Sequence, residues 1–280
     1  MVVAIVGIGL IGGSLALDLR ANGWARRLIG VDLNPVHKQQ ALEDGLVDEC
    51  MELEKAATEA DIVVLAMPVG GIMQVMPKAL DLIRPDGVVV DMGSTKGEIA
   101  TIIREHPRRA RAVLGHPMAG TEHSGPKAAV NNLFQGKAAI LCDREASDPD
   151  ALDLVERLFK SLFMRIVYME SQEHDLHAAY VSHVSHISSF VLALTVLDKE
   201  KHENNIFNLA SGGFASTVRL AKSSPRMWAD VYAQNAPNLL DVLDNYLEHM
   251  QTFRDCIAQG RFDQTYALME QANEIRRILK

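Results

Sequence analysis

The chain has 280 residues, 48% apolar and 23% charged, with a formal net charge of −8. That is ordinary globular composition for about two domains, and the acidic balance excludes nucleic acid as the main partner. No stretch reaches the unbroken apolar length of a membrane span, so no membrane partner is expected. The N-terminus runs into an apolar strand without a basic flank, which argues against secretion. Three cysteines, Cys50, Cys142 and Cys256, stand far apart and offer no disulfide or zinc spacing. A reducing cytoplasm is the expected location.

In chain order, residues 2–6, 28–32, 62–67, 88–91, 112–114, 138–141 and 166–168 read as strands. Amphipathic segments such as residues 15–21 and 72–83 lie between most of them. The early runs are almost wholly apolar, as strands buried on both faces of a parallel sheet should be. The alternation predicts an α/β, Rossmann-type doubly wound sheet over residues 1–169. From 170 to 280 the texture changes. Gly212, Gly213, Pro225 and Pro237 punctuate a region of helical periodicity, seen in Leu239, Leu240, Leu243, Tyr246 and Leu247. This second, all-helical domain is expected to pack closely on the first. Its apolar faces exceed what one side of the sheet domain could cover, which predicts a homodimer.

The segment Val6-Gly7-Ile8-Gly9-Leu10-Ile11-Gly12-Gly13-Ser14 holds Gly7, Gly9 and Gly12 in G-x-G-x-x-G spacing between a predicted strand and a predicted helix. The first glycine permits the turn, the second admits a pyrophosphate, and the third lets helix and strand pack closely. Asp32 follows Gly12 by 20 residues at the end of the second strand, where a carboxylate accepts from ribose hydroxyls. It would repel a 2′-phosphate, and neither Leu33 nor Asn34 supplies a cation, so NAD is the expected cofactor. Ile8, Leu10 and Ile11 in the turn, with Met67 and Pro68 at the end of the 62–67 run, complete the expected cofactor contacts.

His116 follows a predicted strand within Leu114-Gly115-His116-Pro117-Met118-Ala119-Gly120-Thr121-Glu122. Loops at the carboxyl ends of strands border the ligand crevice of such sheets, and a histidine there can take a proton as hydride leaves the same carbon. A turn histidine satisfied by backbone is the plainer alternative on residue chemistry alone. The stretch from His116 to Glu122, followed by Ser124-Gly125, closely resembles the signature of prephenate and arogenate dehydrogenases. The resemblance extends through Asp91-Met92-Gly93-Ser94-Thr95-Lys96, Glu173-His174-Asp175, Ser182-His183 and His186. It continues in Gly212-Gly213-Phe214, Thr217-Val218-Arg219 and Ser224-Pro225-Arg226-Met227-Trp228.

The resemblance implies oxidative decarboxylation of prephenate to 4-hydroxyphenylpyruvate, or of arogenate to tyrosine, with NAD. It makes His116 the catalytic histidine at the ring 4-hydroxyl and Ser94 the serine that orients it. Arg219 becomes the clamp for a substrate carboxylate, and Glu122 an acidic residue at the pocket entrance. Gly120 and Thr121 travel with that motif as substrate contacts. His183 and His186 line the pocket, and His186 favours prephenate. An arginine fork suits a carboxylate because it binds through two parallel hydrogen bonds. Ser185 stands where the family often has proline, and Ala215-Ser216 where a basic–acidic pair often follows Gly-Gly-Phe.

The residues admit other readings. His174, His177, His183 and His186 invite a metal, but on a straight helix the first pair points nearly opposite the second. No metal is expected, and His174 and His177 read as surface or packing residues. A β-hydroxyacid dehydrogenase would carry a catalytic lysine in a helical motif that this chain lacks. A non-enzymatic NAD sensor would be free to lose His116, Ser94 and Arg219, yet all three are present. No appended regulatory domain and no preceding chorismate mutase segment are expected, so feedback inhibition would be expected to act at the active site.

Overall fold

The computed structural model describes residues 1–201 and 206–278. Eight strands form one sheet: β1 (Val2–Val6), β2 (Arg27–Val31), β3 (Glu49–Cys50), β4 (Ile62–Leu65), β5 (Val88–Asp91), β6 (Ala112–Pro117), β7 (Ala138–Cys142) and β8 (Arg165–Met169). Their order is β3-β2-β1-β4-β5-β6-β7-β8, parallel except between β6 and β7. No crossover helix lies between β6 and β7, only a short 3-10 turn at Pro126–Ala128, so the chain doubles back and pairs antiparallel.

Alternate residues of the strands feed two cores, one on each face. Val3 and Ile5 join Leu15, Leu19, Val155 and Phe159 on one side. Val2, Ala4 and Val6 join Ile72, Met76, Ile99 and Ile103 on the other. This is the expected doubly wound architecture. The strand at Glu49–Cys50 was not expected: two residues at the sheet margin carry no apolar run to announce them.

Beyond β8 the described residues are helical: Ser171–Ala178, a π-helical turn Ala179–His183, Val184–Glu200, Gly212–Thr217, Pro225–Gln234, Ala236–Ala258 and Phe262–Ala272. Residues 202–205, 279 and 280 of the region expected to be helical lie outside the described ones. The two parts are joined by specific contacts. Val69 packs with Trp228 and Val231, and the Thr95 hydroxyl donates to Gln234 Oε1 at 2.5 Å.

The continuous run Ser171–Glu200 is 30 residues long, with a mean hydropathy of 1.4 over its most apolar window, and could cross a membrane by length and composition. It is not the unbroken apolar stretch whose absence was expected. Serines and histidines interrupt the run often enough to hide it from a search for unbroken apolar sequence. They are also what ties it to the sheet domain.

Candidate active site

The turn after β1 is shaped by its glycines. Gly7 has φ +93°, and a Cβ there would meet the Ala66 carbonyl oxygen at 2.8 Å. A Cβ at Gly12 would strike the Gly7 carbonyl oxygen at 2.1 Å, so helix Leu10–Ala21 can start this close to the strand only with glycine. Gly9 differs: nothing lies within 4 Å of its Cβ direction, and as N-cap it makes no side-chain hydrogen bond. The first turn of the helix thus offers unpaired N–H groups beside open space, which is what a phosphate needs. Ile8, Leu10 and Ile11 fill this turn, and Ala66, which Gly7 abuts, leads directly into Met67 and Pro68.

Asp32 lies one residue beyond β2. Its Oδ2 accepts from Ile8 N–H at 3.0 Å and its Oδ1 from Asn34 N–H at 2.9 Å. An ionised carboxylate has about four acceptor positions, so capacity remains for ribose hydroxyls. His37 Nδ1 stands 3.5 Å from Oδ2, a neighbour that the adjacent residues Leu33 and Asn34 did not disclose.

His116 does not follow a strand, as expected, but sits inside β6, paired in register with Ile140. It is 9% exposed. Its neighbour Gly115 is fixed from both sides: the Asp91 carboxylate accepts from Gly115 N–H, and Lys96 Nζ donates to the Gly115 carbonyl at 2.7 Å. Lys96 and Asp91 are themselves an ion pair with fully buried side chains. Asp91 Oδ1 also accepts from Gly93 N–H at 2.9 Å, so one pair sets the strand of His116 and the loop of Ser94 together.

His116 Nδ1 lies 2.8 Å from His174 Nε2, and His174 Nδ1 lies 2.8 Å from Asp175 Oδ1. Asp175 also accepts from the backbone N–H of Lys96 and Gly97 at 2.7 and 2.8 Å. The reading of His174 as a surface or packing residue is therefore corrected: it is buried and bonded to His116. His177 is exposed. The phase argument assumed a straight α-helix, whereas the π-turn Ala179–His183 inserts the equivalent of one residue and turns the rest of the helix by about 100°. His174 and His183 consequently both reach the surroundings of His116. Burial holds the His116 imidazole well below the usual histidine range, and the nearby Lys96 charge adds to this.

Asn235 Nδ2 donates to the Asp175 carbonyl at 2.7 Å and lies 3.1 Å from His183 Nδ1, to which it also donates. His183 Nε2 is then the protonated nitrogen of the neutral ring. Burial depresses His183 to a pKa of about 4. His186 stacks on Trp228 at 3.7 Å between ring centroids and donates Nδ1–H to the Ser182 carbonyl at 3.0 Å. Burial lowers its pKa too, and the charge of Arg219 adds to this.

Arg219 Nη1 donates to Glu122 Oε2 at 2.9 Å, linking the loop after β6 to the helical region. Ser189 brackets this turn: its hydroxyl donates to the Thr217 carbonyl and accepts from Ala221 N–H. Gly120 and Thr121 are exposed beside Glu122, and Thr121 Oγ1 accepts from His123 N–H. Ser94 is half-buried, and among the described residues no hydrogen bond joins it to His116. Sequence reasoning did not single out Lys96, Asp91, Asp175, Ser189 or Asn235 individually. Buried polar types within the resemblance motifs were the available signal for the first three.

These features define a Rossmann-type nucleotide-binding protein with a buried imidazole on β6, bonded to its helical region. Residues 15–168 match the family model described as prephenate dehydrogenase, nucleotide-binding domain, and residues 170–271 the model described as prephenate dehydrogenase, dimerization domain. The chain belongs to the prephenate dehydrogenase family. It is 30% identical to the prephenate dehydrogenase of Bacillus subtilis over 98% of this chain and 75% of that protein. The crystal structure of prephenate dehydrogenase from Aquifex aeolicus, in complex with hydroxyphenyl propionate and NAD+, superposes with a TM-score of 0.89 at 30% identity, covering 100% of this chain and 98% of that one. Synechocystis arogenate dehydrogenase superposes with a TM-score of 0.78, also at 30% identity, over 100% of both chains.

Proposed function

We propose that this chain oxidises prephenate with NAD, losing the ring carboxylate to give 4-hydroxyphenylpyruvate. The observation that carries the reading is the buried His116, bonded to His174 of the helical region, in the same sheet whose first strand leads into the glycine turn. NAD held by Gly7, Gly9, Gly12 and Asp32, with Ile8, Leu10, Ile11, Met67 and Pro68 around it, supplies the hydride acceptor. His116 takes the proton of the ring 4-hydroxyl as the carbon–hydrogen electron pair departs. The carbonyl so formed draws off the ring carboxylate as carbon dioxide while the ring aromatises. General-base help of this kind is worth about 10²–10⁴-fold. Arg219 holds a substrate carboxylate in place of Glu122, and Ser94, Gly120, Thr121, His183 and His186 border the substrate.

One observation favours arogenate as a second reading. With Nδ1–H given to Ser182, the neutral His186 presents Nε2 as an acceptor, which suits an ammonium better than a ketone. NADH formation with prephenate and arogenate, measured side by side, tests both readings. Turnover of neither compound would refute the proposal.

We assign residues 1–169 to the cofactor and 170–280 to substrate and assembly. Val191, Leu194, Leu240 and Leu247 are exposed apolar side chains of the long helices, and the family's helical model is described as a dimerization domain. Both features support a homodimer. The free state of Cys50, Cys142 and Cys256 supports a cytoplasmic location.

A further inference from the structure

We propose that His174 and Asp175 are positioning residues for this reaction. The line Asp175–His174–His116 holds the His116 imidazole as the tautomer protonated at Nδ1, so that its Nε2 is the base. The inference rests on the reading of His116 as the proton acceptor, and it comes from counting donors. Three groups converge on the Asp175 carboxylate: Lys96 N–H, Gly97 N–H and His174 Nδ1. An ionised carboxylate only accepts, so the proton of that third contact belongs to His174 Nδ1. The opposite tautomer of a neutral His174 would aim an Nδ1 lone pair at a carboxylate lone pair across 2.8 Å.

With Nδ1 protonated, His174 Nε2 carries the lone pair, and the 2.8 Å contact to His116 Nδ1 requires His116 to donate. The only basic nitrogen left on His116 is Nε2. When Nε2 takes the substrate proton, the new imidazolium already donates to His174, which donates to the Asp175 anion. The positive charge therefore forms in a line of dipoles arranged for it, without reorganisation. Asp175 is anchored by the backbone of Lys96 and Gly97, in the sheet domain next to Ser94. The relay thus reaches His116 from the helical region while bonded to the loop that carries the other candidate catalytic residue. Lys96 and His183 are the other titratable groups near His116; Lys96 is engaged by Asp91 and His183 by Asn235.

The test compares wild type with His174→Leu and His174→Gln. Gln retains a carbonyl oxygen that can accept from His116 Nδ1–H, whereas Leu removes the acceptor. His174→Leu is expected to lower kcat by about tenfold to a hundredfold at nearly unchanged KM. Its acidic limb should move to lower pH, because the imidazolium loses support. His174→Gln should recover most of the rate and of the limb. NAD titration of each variant checks folding. A merely structural role predicts equal losses in both variants with an unmoved limb, and that result would overturn the proposal. So would a His174→Leu enzyme with wild-type kcat.

A second arm needs no turnover and keeps this inference separable from the function. The ¹⁵N shifts of His116, assigned by difference against His116→Asn, should show protonated Nδ1 and free Nε2 in wild type. The converse tautomer sinks the relay even if prephenate is turned over. The expected tautomer would sustain the relay even if prephenate and arogenate were both refused.

Discussion

Arg219 of the helical region and Glu122 of the loop after β6 form an ion pair at 2.9 Å that spans the two parts of the chain. A substrate carboxylate must replace Glu122 to reach that guanidinium. Glu122 is held below the usual carboxylate range by its own backbone N–H first and by Arg219 second, so it is charged at neutral pH and competes. Arg219→Ala should therefore raise KM for prephenate by about 10-fold to 10²-fold with a smaller effect on kcat. Arg219→Lys should fall between, because lysine keeps the charge and loses the fork. Steady-state kinetics decide this. A loss confined to kcat would remove Arg219 from substrate binding.

Asp32 should discriminate between cofactors by charge. Repulsion of a 2′-phosphate close to a partly screened carboxylate is worth on the order of 1–4 kcal/mol. NAD should accordingly be preferred by at least about fivefold in kcat/KM, and Asp32→Ser should narrow the gap. A native preference for NADP would contradict the assignment.

The Lys96–Asp91 pair predicts a stability effect. Both side chains are fully buried, and removing one partner leaves a buried charge, which typically costs about 3–5 kcal/mol. Lys96→Met should lower the unfolding free energy by that order in urea. Lys96→Met combined with Asp91→Asn should recover part of the loss, since no unpaired charge then remains. A double variant as unstable as the sum of the two single ones would mean that the pair is not coupled.

The sheet was legible because its physics is local: apolar runs of four to six residues mark strands covered on both faces. The glycine turn was legible because its roles are steric, and Gly7, Gly9 and Gly12 divide those roles as their spacing implies. Glu49–Cys50 escaped because a two-residue strand has no period. His174 escaped for a different reason. Its partner His116 lies 58 residues away on a strand, and that His183 reaches the same surroundings depends on the π-turn, which nothing in Ala179-Tyr180-Val181-Ser182-His183 announces. The Lys96–Asp91 contact is local, five residues apart, but the bond from Lys96 to Gly115 depends on β6 lying beside β5, a fact of topology rather than of either residue.

His183 gives a pH dependence with a definite sign. Its folded pKa of about 4 lies below the unfolded value of 6.5, chiefly through burial. Above pH 6.5 neither state is charged there, and no penalty applies. As pH falls from 6.5 to about 4, the unfolded state binds the proton and the folded state does not, so stability drops through that window. The full effect is on the order of 3 kcal/mol. His183→Asn, which keeps an acceptor for Asn235, should lose less stability between pH 7.5 and pH 4.5 than wild type. Parallel denaturation curves at the two pH values provide the check, and identical losses would show that His183 is not the group involved.

His116→Asn separates chemistry from binding. The glycine turn follows β1 and Asp32 follows β2, strands away from β6 in the sheet, so NAD affinity should be almost unchanged. Asparagine can still hydrogen-bond the substrate hydroxyl, so KM for prephenate should move only modestly. It cannot accept the proton near neutral pH, and kcat should fall by about 10²-fold or more. The pH profile carries the sharper test. The base must be unprotonated to work, so activity falls as pH drops through its pKa. Burial, with the nearby Lys96 charge, depresses that value, which places the wild-type acidic limb below the ordinary histidine range. The limb should vanish in the variant. An asparagine enzyme that retained wild-type kcat together with this limb would show that another group takes the proton.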